Sequence, residues 1–183
     1  MPFPYRRIVV VGATGSGKST LARELSAQLE LRFVELDAFH WQADWTPASL
    51  DEFRRSVEVA VSTGADPDGW VIAGNYHVVR DLIWPRAEAV IWLDYSLPVV
   101  FWRLLVRTLR RSILQEELWN GNRERFWWHL KLWSDESLFH WLFKTYWRRK
   151  QEYPLLFARP EHAHLQVIHF RSPDETGIWL AGL

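Results

Sequence analysis

The sequence of 183 residues contains no cysteine, which excludes disulfide bonds, thiolate catalysis and cysteine-ligated metal sites. It also lacks net charge, because 22 acidic side chains balance 22 basic ones. Charge alone therefore draws the protein neither to nucleic acid nor to anionic membranes. No apolar run approaches the ~18 residues of a membrane span, and no apolar leader precedes the first predicted strand. We therefore expect a cytoplasmic protein.

Lysine is scarce as well, since 18 of the 22 basic residues are arginine. Arginine binds phosphate through two parallel hydrogen bonds, which a lysine ammonium cannot do. The excess of arginine is equally consistent with a compositional bias of the genome. A chain of this length and ordinary apolar content predicts one domain, spanning residues 1–183.

The first motif is a complete phosphate-binding loop, G-x-x-x-x-G-K-[ST], at Gly12-Ala13-Thr14-Gly15-Ser16-Gly17-Lys18-Ser19. A short apolar strand, residues 7–11, precedes it, and a helix beginning near Thr20 follows. Glycines allow backbone N–H groups to surround a phosphate, and the helix N-terminus adds further donors. The motif predicts that Lys18 reaches the terminal phosphates and that the Ser19 hydroxyl binds Mg²⁺.

Strand and helix signals alternate along the whole chain, which predicts a doubly wound α/β fold with a parallel sheet. The five predicted strands are residues 7–11, 32–36, 70–73, 89–93 and 164–170. Thr46 and Pro47 have the residue types of a helix start, and Ser172 with Glu175 has capping-box spacing. An aromatic and charged stretch, residues 114–134, predicts an inserted helical hairpin.

Ligands of such sheets bind at the carboxyl ends of the strands, where several polar residues are predicted to meet. Asp37 is the leading candidate for a carboxylate that faces a phosphoryl acceptor, with Glu35 as a further acid near the metal. The alternative for Asp37 is a loop cap. Asp94 is interpreted as a cap or a helix-dipole partner. Asn75 and Tyr76 follow the third strand and are candidate acceptor-binding residues.

Three groups of arginines could neutralise phosphoryl oxygens. One helix carries Arg103, Arg107 and Arg110 at positions that share a face. A second group is the run 148–150, and Arg80 is the third candidate. A solvated basic face is the alternative in each case. Separately, Trp41 and its aromatic neighbours could stack on a ring of the acceptor, or could form a small hydrophobic cluster.

These residues together resemble the P-loop kinases of the adenylate-kinase type. The similarity is greater to the bacterial family called DNA topology modulation protein, FlaR-related. It extends over almost the whole chain, and its residues are the phosphate loop, Leu36-Asp37 with Trp41 and Trp45, Gly69-Trp70-Val71-Ile72, Gly74-Asn75-Tyr76, Ile91-Trp92-Leu93-Asp94, Arg103 and Arg107, Arg148-Arg149, and Ser172-Pro173.

The resemblance implies a P-loop NTPase fold of three layers, α/β/α, with strand order 2-3-1-4-5 and a mobile helical lid at residues 114–134. It places the acceptor beside residues 38–62, and ATP and Mg²⁺ at the loop. Arg103 and Arg107 would contact ATP and the transferring phosphates, while Arg171 to Pro173 would border the adenine. Arg148 is a further candidate for ATP binding. The acceptor would be a nucleotide, a nucleoside or another small molecule, and the protein a monomer or a homodimer.

One residue departs from the pattern of these relatives, which usually carry Asp where this chain has Ala73. The missing carboxylate could weaken Mg²⁺ binding or shift that task to Asp37 or Glu35. Two hypotheses therefore stay open: an ATP-dependent phosphotransferase with Lys18, Asp37, Arg103 and Arg107 as catalytic residues, and a nucleotide-binding regulatory protein with little turnover. Direct DNA binding is disfavoured, because no basic tract or nucleic-acid motif is present.

Overall fold

The structure, a computed structural model, describes residues 3–62, 69–122 and 137–183. Five parallel strands form one sheet in the order β2-β3-β1-β4-β5. The fold class and the strand order are those predicted. The strands are β1 (Arg7–Gly12), β2 (Arg32–Glu35), β3 (Trp70–Ala73), β4 (Ala89–Leu93) and β5 (Gln166–Phe170).

Helices connect the strands and pack on both faces of the sheet. Within the described ranges, the α-helices are α1 (Lys18–Leu29), α2 (Leu36–His40), α3 (Leu50–Val61), α4 (Arg80–Ile83), α5 (Leu97–Leu114), α6 (Leu138–Phe157) and α7 (Pro173–Ala181). Short 3-10 turns lie between some of them, at Ala43–Trp45, His77–Val79, Trp84–Arg86, Trp119–Gly121 and Pro160–His162.

The alternation of side chains along β1 produces the three layers. Ile8 and Val10 point into a core formed with α1 and α5, while Val9 and Val11 point into a second core with α3 and α4. All four side chains are buried, as expected for a central strand of a parallel sheet that is covered on both faces.

Strand register places the predicted site residues at one edge of the sheet. Ala73 is the register partner of both Val10 and Glu35, and Leu93 is the partner of Gly12. The phosphate loop, the end of β2 and the end of β3 are therefore neighbours. These segments lie together at the carboxyl edge of the sheet, as the sequence predicts.

Two helix starts can be compared with the sequence predictions, and one of them differs. α3 begins at Leu50, not at Pro47, because Ser49 accepts a hydrogen bond from the Glu52 amide and Glu52 bonds back to the Ser49 amide. This reciprocal capping box outcompetes the Thr46–Pro47 start. The predicted cap of Ser172 on α7 is confirmed, since its hydroxyl accepts from the Glu175 amide at 3.2 Å.

Only the first part of the predicted lid, residues 114–122, lies within the described residues. α5 ends at Leu114, and the Trp119–Gly121 turn follows. Residues 123–134 of the predicted lid lie outside the described residues. In the described ranges, no helix combines the length and the apolar character that a bilayer crossing requires.

The capping box of α3 yields a matched pair of variants. Ser49→Ala removes the cap and should lower the free energy of unfolding by about 1 kcal/mol. Thr46→Ala removes the cap predicted from the sequence and should change it by less than about 0.5 kcal/mol. Urea unfolding of both variants measures the difference. An equal loss for the two variants would contradict the helix start described above.

Candidate functional site

The backbone of the phosphate loop lies in close contact with its neighbours. A Cβ atom on Gly12 would lie 2.6 Å from the Leu93 carbonyl oxygen, and one on Gly15 would lie 2.6 Å from the Val100 carbonyl oxygen. Both glycines also have positive φ, 153° and 85°. Only glycine combines that backbone geometry with such close approach. The end of β4 and the start of α5 therefore determine the shape of the loop.

Three cationic side chains bond to carbonyl oxygens of this loop. The Lys18 ammonium lies 2.9 Å from the Ala13 oxygen, and the Arg103 guanidinium lies 3.3 Å from the Ser16 oxygen. The Arg149 guanidinium lies 3.5 Å from the Gly12 oxygen. Neutral carbonyls are weaker partners for these cations than phosphate oxygens. An anion at this position would therefore bind the three side chains more strongly than the loop carbonyls do.

The electrostatics of Lys18 reflect this crowding of positive charge. Burial and the neighbouring Arg149 and Arg107 lower the pKa of Lys18 to about 7. Asp37 and Glu35 oppose this shift, and do so only in part. Arg107 therefore belongs to the same cluster, as the sequence predicts. An anion bound beside Lys18 would restore its charge.

Two further features fit a phosphate in the loop. The Ser16 hydroxyl is buried without a hydrogen-bond partner in the part of the chain that the structure describes. α1 begins after Gly17 with no side-chain cap, which leaves its first N–H groups to a ligand. Thr14 and Ser19 are half-buried beside these groups, and Thr20 is exposed. The donors of the loop thus match the predicted anion site.

Asp37 lies in the first turn of α2 and receives a hydrogen bond from the Tyr76 hydroxyl at 2.7 Å. Burial and the charge of Asp37 raise the pKa of Tyr76 far above its usual range. Tyr76 therefore stays a donor at all ordinary pH values, and it holds the Asp37 carboxylate in place. The two predicted residues are thus brought together, and Asp37 is close enough to Lys18 to act on its charge.

The amide of Asn75 bonds to the phosphate loop. Its oxygen accepts from the Gly12 amide at 3.2 Å and from the Tyr153 hydroxyl at 3.0 Å, and its nitrogen donates to the Gly12 carbonyl. Burial raises the pKa of Tyr153 to about 12, which keeps that hydroxyl a donor. In this structure Asn75 stabilises the loop, and its predicted contact with an acceptor stays a prediction.

Two of the predicted acceptor residues lie farther from the loop. Arg80 lies 3.6 Å from Glu152 and its guanidinium is stacked over Trp84, beside a small cavity that Tyr76 also lines. Trp41 makes edge contacts with other aromatic rings, and its role toward an acceptor stays a prediction.

Arginines that the sequence analysis placed in one group have different surroundings in the structure. Arg110 pairs with Glu116 at 3.0 Å. Arg148 is exposed, whereas its neighbour Arg149 contacts Gly12, so Arg149 is the member of the predicted basic run that lies at the loop. The sequence signal was the run Arg148-Arg149-Lys150, which does not say which member faces the sheet. Arg171 is exposed, and its backbone amide bonds to Glu175.

Asp94 takes part in ion pairs instead of the predicted cap. Its carboxylate lies 3.1 Å from the Lys150 ammonium and 3.1 Å from a ring nitrogen of His169. His169 in turn is stacked on Trp92, with 4.1 Å between ring centroids. Asp94 therefore ties α6 to β5.

A divalent cation would find few protein ligands here. Across residues 3–62, 69–122 and 137–183, no three His, Asp or Glu side chains gather into a metal-binding group. Mg²⁺ usually keeps several waters and binds through one or two protein ligands and substrate phosphates. The half-buried Ser19 hydroxyl, with Asp37 and Glu35 around Lys18, fits that mode.

Comparison with known proteins identifies the family of the chain. Residues 14–137, more than half of the sequence, match the family model of shikimate kinase. The chain belongs to the shikimate kinase family. It is therefore a small-molecule kinase of the P-loop type, and family membership implies the use of ATP. No curated protein matches the sequence.

Two solved structures share the fold of this family member. A gluconokinase from Sinorhizobium meliloti 1021 is 18% identical, with 97% of this chain and 92% of that chain covered and a TM-score of 0.51. A shikimate kinase from Acinetobacter baumannii, in complex with shikimate, is 16% identical over 97% and 92%, also with a TM-score of 0.51. The predicted P-loop kinase is thus confirmed, while its FlaR-related and adenylate-kinase-like specifics stay predictions.

The pKa of Lys18 can be measured directly because the chain has only four lysines. In protein labelled with ¹³C-lysine, one Cε signal should titrate near pH 7, and that signal should be missing from Lys18→Met. Absence of any lysine titration below about pH 9, well under the usual pKa of 10.4, would contradict the lowered pKa of Lys18.

The sign of the linked stability follows from the same shift. Above pH 7 the unfolded chain keeps a proton on Lys18 that the folded protein has released. The free energy of unfolding of the wild type should therefore rise relative to Lys18→Met as the pH increases from about 7 toward about 10. Urea unfolding at several pH values compares the two proteins.

Proposed function

We propose that the protein transfers the γ-phosphoryl group of ATP to a hydroxyl group of a small acceptor, and that Asp37 faces this acceptor. The observation that carries the proposal is the placement of three cations on loop carbonyls, with the Tyr76-bound Asp37 carboxylate close enough to act on the charge of Lys18. Family membership and the fold support it.

The loop residues would bind the phosphates of ATP through their backbone N–H groups and through Lys18. The proposed nucleotide-binding residues are Gly12, Ala13, Thr14, Gly15, Ser16, Gly17, Lys18, Ser19, Thr20, Arg103, Arg148, Arg171 and Pro173. To these we add Arg149, on the contact of its guanidinium with Gly12. Mg²⁺, held by Ser19, would neutralise charge on the transferred group.

In the proposed reaction the acceptor oxygen attacks the γ-phosphorus, and the bond from that phosphorus to the β,γ-bridging oxygen breaks. ADP leaves with the bridging oxygen, and the acceptor proton passes to Asp37. Tyr76 orients Asp37 through its hydrogen bond. Lys18, Arg103, Arg107 and Arg149 stabilise the charge on the phosphoryl oxygens, which is the main contribution that proteins make to phosphoryl transfer.

The acceptor would lie beside residues 38–62, with Trp41, Tyr76 and Arg80 among its contacts. Shikimate, from the family, and gluconate, from a structural neighbour, are the first acceptors to consider. Nucleosides and nucleoside monophosphates follow from the resemblance to adenylate-type and FlaR-related proteins. We further propose a single domain in which residues 114–134 form a lid that closes over the site, in a cytoplasmic monomer or homodimer.

A regulatory protein with little turnover is the second candidate function, and Ala73 is the observation that favours it. A carboxylate is absent at the carboxyl end of β3, beside the loop. Glu35, the register partner of Ala73 on β2, has a largely buried side chain, 9% exposed, close enough to interact with Lys18. Under the kinase hypothesis, Glu35 supplies the acid that Ala73 lacks.

³¹P NMR distinguishes the kinase from the regulatory protein. The sample contains MgATP, the protein and one pool at a time of shikimate, gluconate, nucleosides or nucleoside monophosphates. A kinase should give a new phosphoester signal with one pool, and the signal should be absent for Lys18→Ala. ATP that binds but stays intact with every pool would support the regulatory function and contradict the kinase.

Neighbouring arginines provide a matched test of the phosphate cluster. Arg149→Ala and Arg107→Ala should each lower kcat by about 10²-fold or more, the usual loss when one charge-stabilising donor is removed. The control Arg110→Ala removes the same charge from the helix of Arg107 and should stay within about threefold of wild type, as expected for an exposed position. An equal loss in Arg110→Ala would contradict the cluster.

The variant Ala73→Asp tests whether Glu35 supplies the carboxylate that Ala73 lacks. If Glu35 acts near the metal, Glu35→Gln should raise the Mg²⁺ concentration needed for half-maximal activity. The double variant Ala73→Asp/Glu35→Gln should bring it back toward wild type, because an Asp at 73 lies beside residue 35 in the sheet. Activity titrated with MgCl₂ at fixed ATP measures this. An unchanged Mg²⁺ requirement in Glu35→Gln would assign the metal to other groups.

A further inference from the structure

The loop that follows Asp37 and α2 is held by a distant turn. Asn122 is buried, 4% exposed, and its amide makes three hydrogen bonds. Its oxygen accepts from the Trp45 amide at 2.8 Å, and its nitrogen donates to the Gln42 carbonyl at 2.7 Å and the Trp119 carbonyl at 2.8 Å. One side chain thus joins residues 42–45 to the Trp119–Gly121 turn.

Asn120, in the same turn, adds a second connection. Its amide nitrogen donates to the Trp41 carbonyl at 2.5 Å and lies 3.5 Å from the Ala38 carbonyl. Asn120 has φ of 56°, in the left-handed region, where Asn is better tolerated than most residues. The turn therefore presents two amides to the backbone of residues 38–45. We call these two side chains the asparagine latch.

A row of aromatic rings follows the same path. Trp119 lies 6.3 Å from Trp45, and Trp45 lies 5.8 Å from Trp41, between ring centroids. From Trp41 the row continues through His40 to Tyr76, with 4.7 Å at each step. Tyr76 is the residue that bonds Asp37. Packing thus connects the latch to the carboxylate that faces the acceptor.

Residues 41–47 also make local contacts with one another. They close a local loop through the Gln42 amide and Thr46 carbonyl, at 2.8 Å, and through a bridge between Trp41 and Pro47. Asp44 and Trp45 both have positive φ, 57° and 54°, which is unfavourable for residues with large side chains. The hydrogen bond that the Trp45 amide donates to Asn122 therefore stabilises this unfavourable backbone conformation.

The turn is also fixed to the helix that carries the phosphate-side arginines. Glu116, between α5 and the turn, lies 3.0 Å from Arg110 and 3.9 Å from Arg111 of α5. α5 carries Arg103 about two turns after its start, beside the phosphate loop. The latch therefore links the acceptor side of the site to the helix of the phosphate side.

We propose that Asn122 and Asn120 are positioning residues for the acceptor: they hold residues 38–45, and through the aromatic row Asp37, against the end of α5. The acceptor part of this inference rests on the proposed function. It predicts that loss of the latch weakens acceptor binding and leaves ATP binding at the loop unchanged.

The first test is hydrogen exchange of the protein without ligands. Asn122→Ala should speed exchange by at least about tenfold in peptides from both residues 36–48 and 116–122, since three hydrogen bonds are lost. Peptides from α1 and β4 should be unchanged. Asn120→Gly keeps the left-handed backbone, removes only the side-chain bonds, and should show a smaller change at the same places. Gln115→Ala removes an amide that donates to the nearby Ser112 carbonyl, and it is the control.

The second test uses the acceptor that the ³¹P NMR pools identify. Asn122→Ala should raise the KM for that acceptor by about tenfold, while the KM for MgATP stays within about twofold. Equal rises in both KM values would overturn the positioning role, and so would exchange that speeds up only in residues 116–122. If no pool gives product, the proposed function fails, and the exchange experiment still decides whether the latch holds residues 36–48.

Discussion

Close backbone contact at the phosphate loop is the constraint on which the rest of the site depends. Gly12 and Gly15 approach carbonyl oxygens of β4 and α5 so closely that neither position has room for a side chain. The amide of Asn75 then fixes Gly12 from the third side. A loop held from three elements presents its N–H groups in one geometry, which is what binding and stabilising a transferred phosphoryl group requires.

The second constraint is positive charge concentrated in a chain that has no net charge. Lys18, Arg103, Arg107 and Arg149 meet at the loop, and burial together with the charges of Arg149 and Arg107 lowers the pKa of Lys18. The same arrangement gives an anion a large advantage, since binding it relieves the repulsion and restores the charge of Lys18. Local charge of this kind comes from helix packing, and the overall composition does not reveal it.

The acceptor side of the site is organised differently from the phosphate side. Asp37 follows directly from β2, so the sheet determines where it begins. The residues after it depend on side chains from a turn about 80 positions later, at Asn120 and Asn122. Under the proposed function, the phosphate side and the acceptor side are therefore supported by separate sets of contacts.

The sequence by itself determined the loop, the five parallel strands and the position of Asp37, because each is local: a motif, a run of buried residues or the end of a strand. The strand order came from resemblance and proved right. The tertiary structure alone decided between Arg148 and Arg149, since neighbouring helical residues point about 100° apart and packing selects the one that faces the sheet. It alone also revealed Asn122, whose partners are distant in sequence. Local patterns specify elements, whereas side-chain contacts between distant segments exist only once the chain has packed.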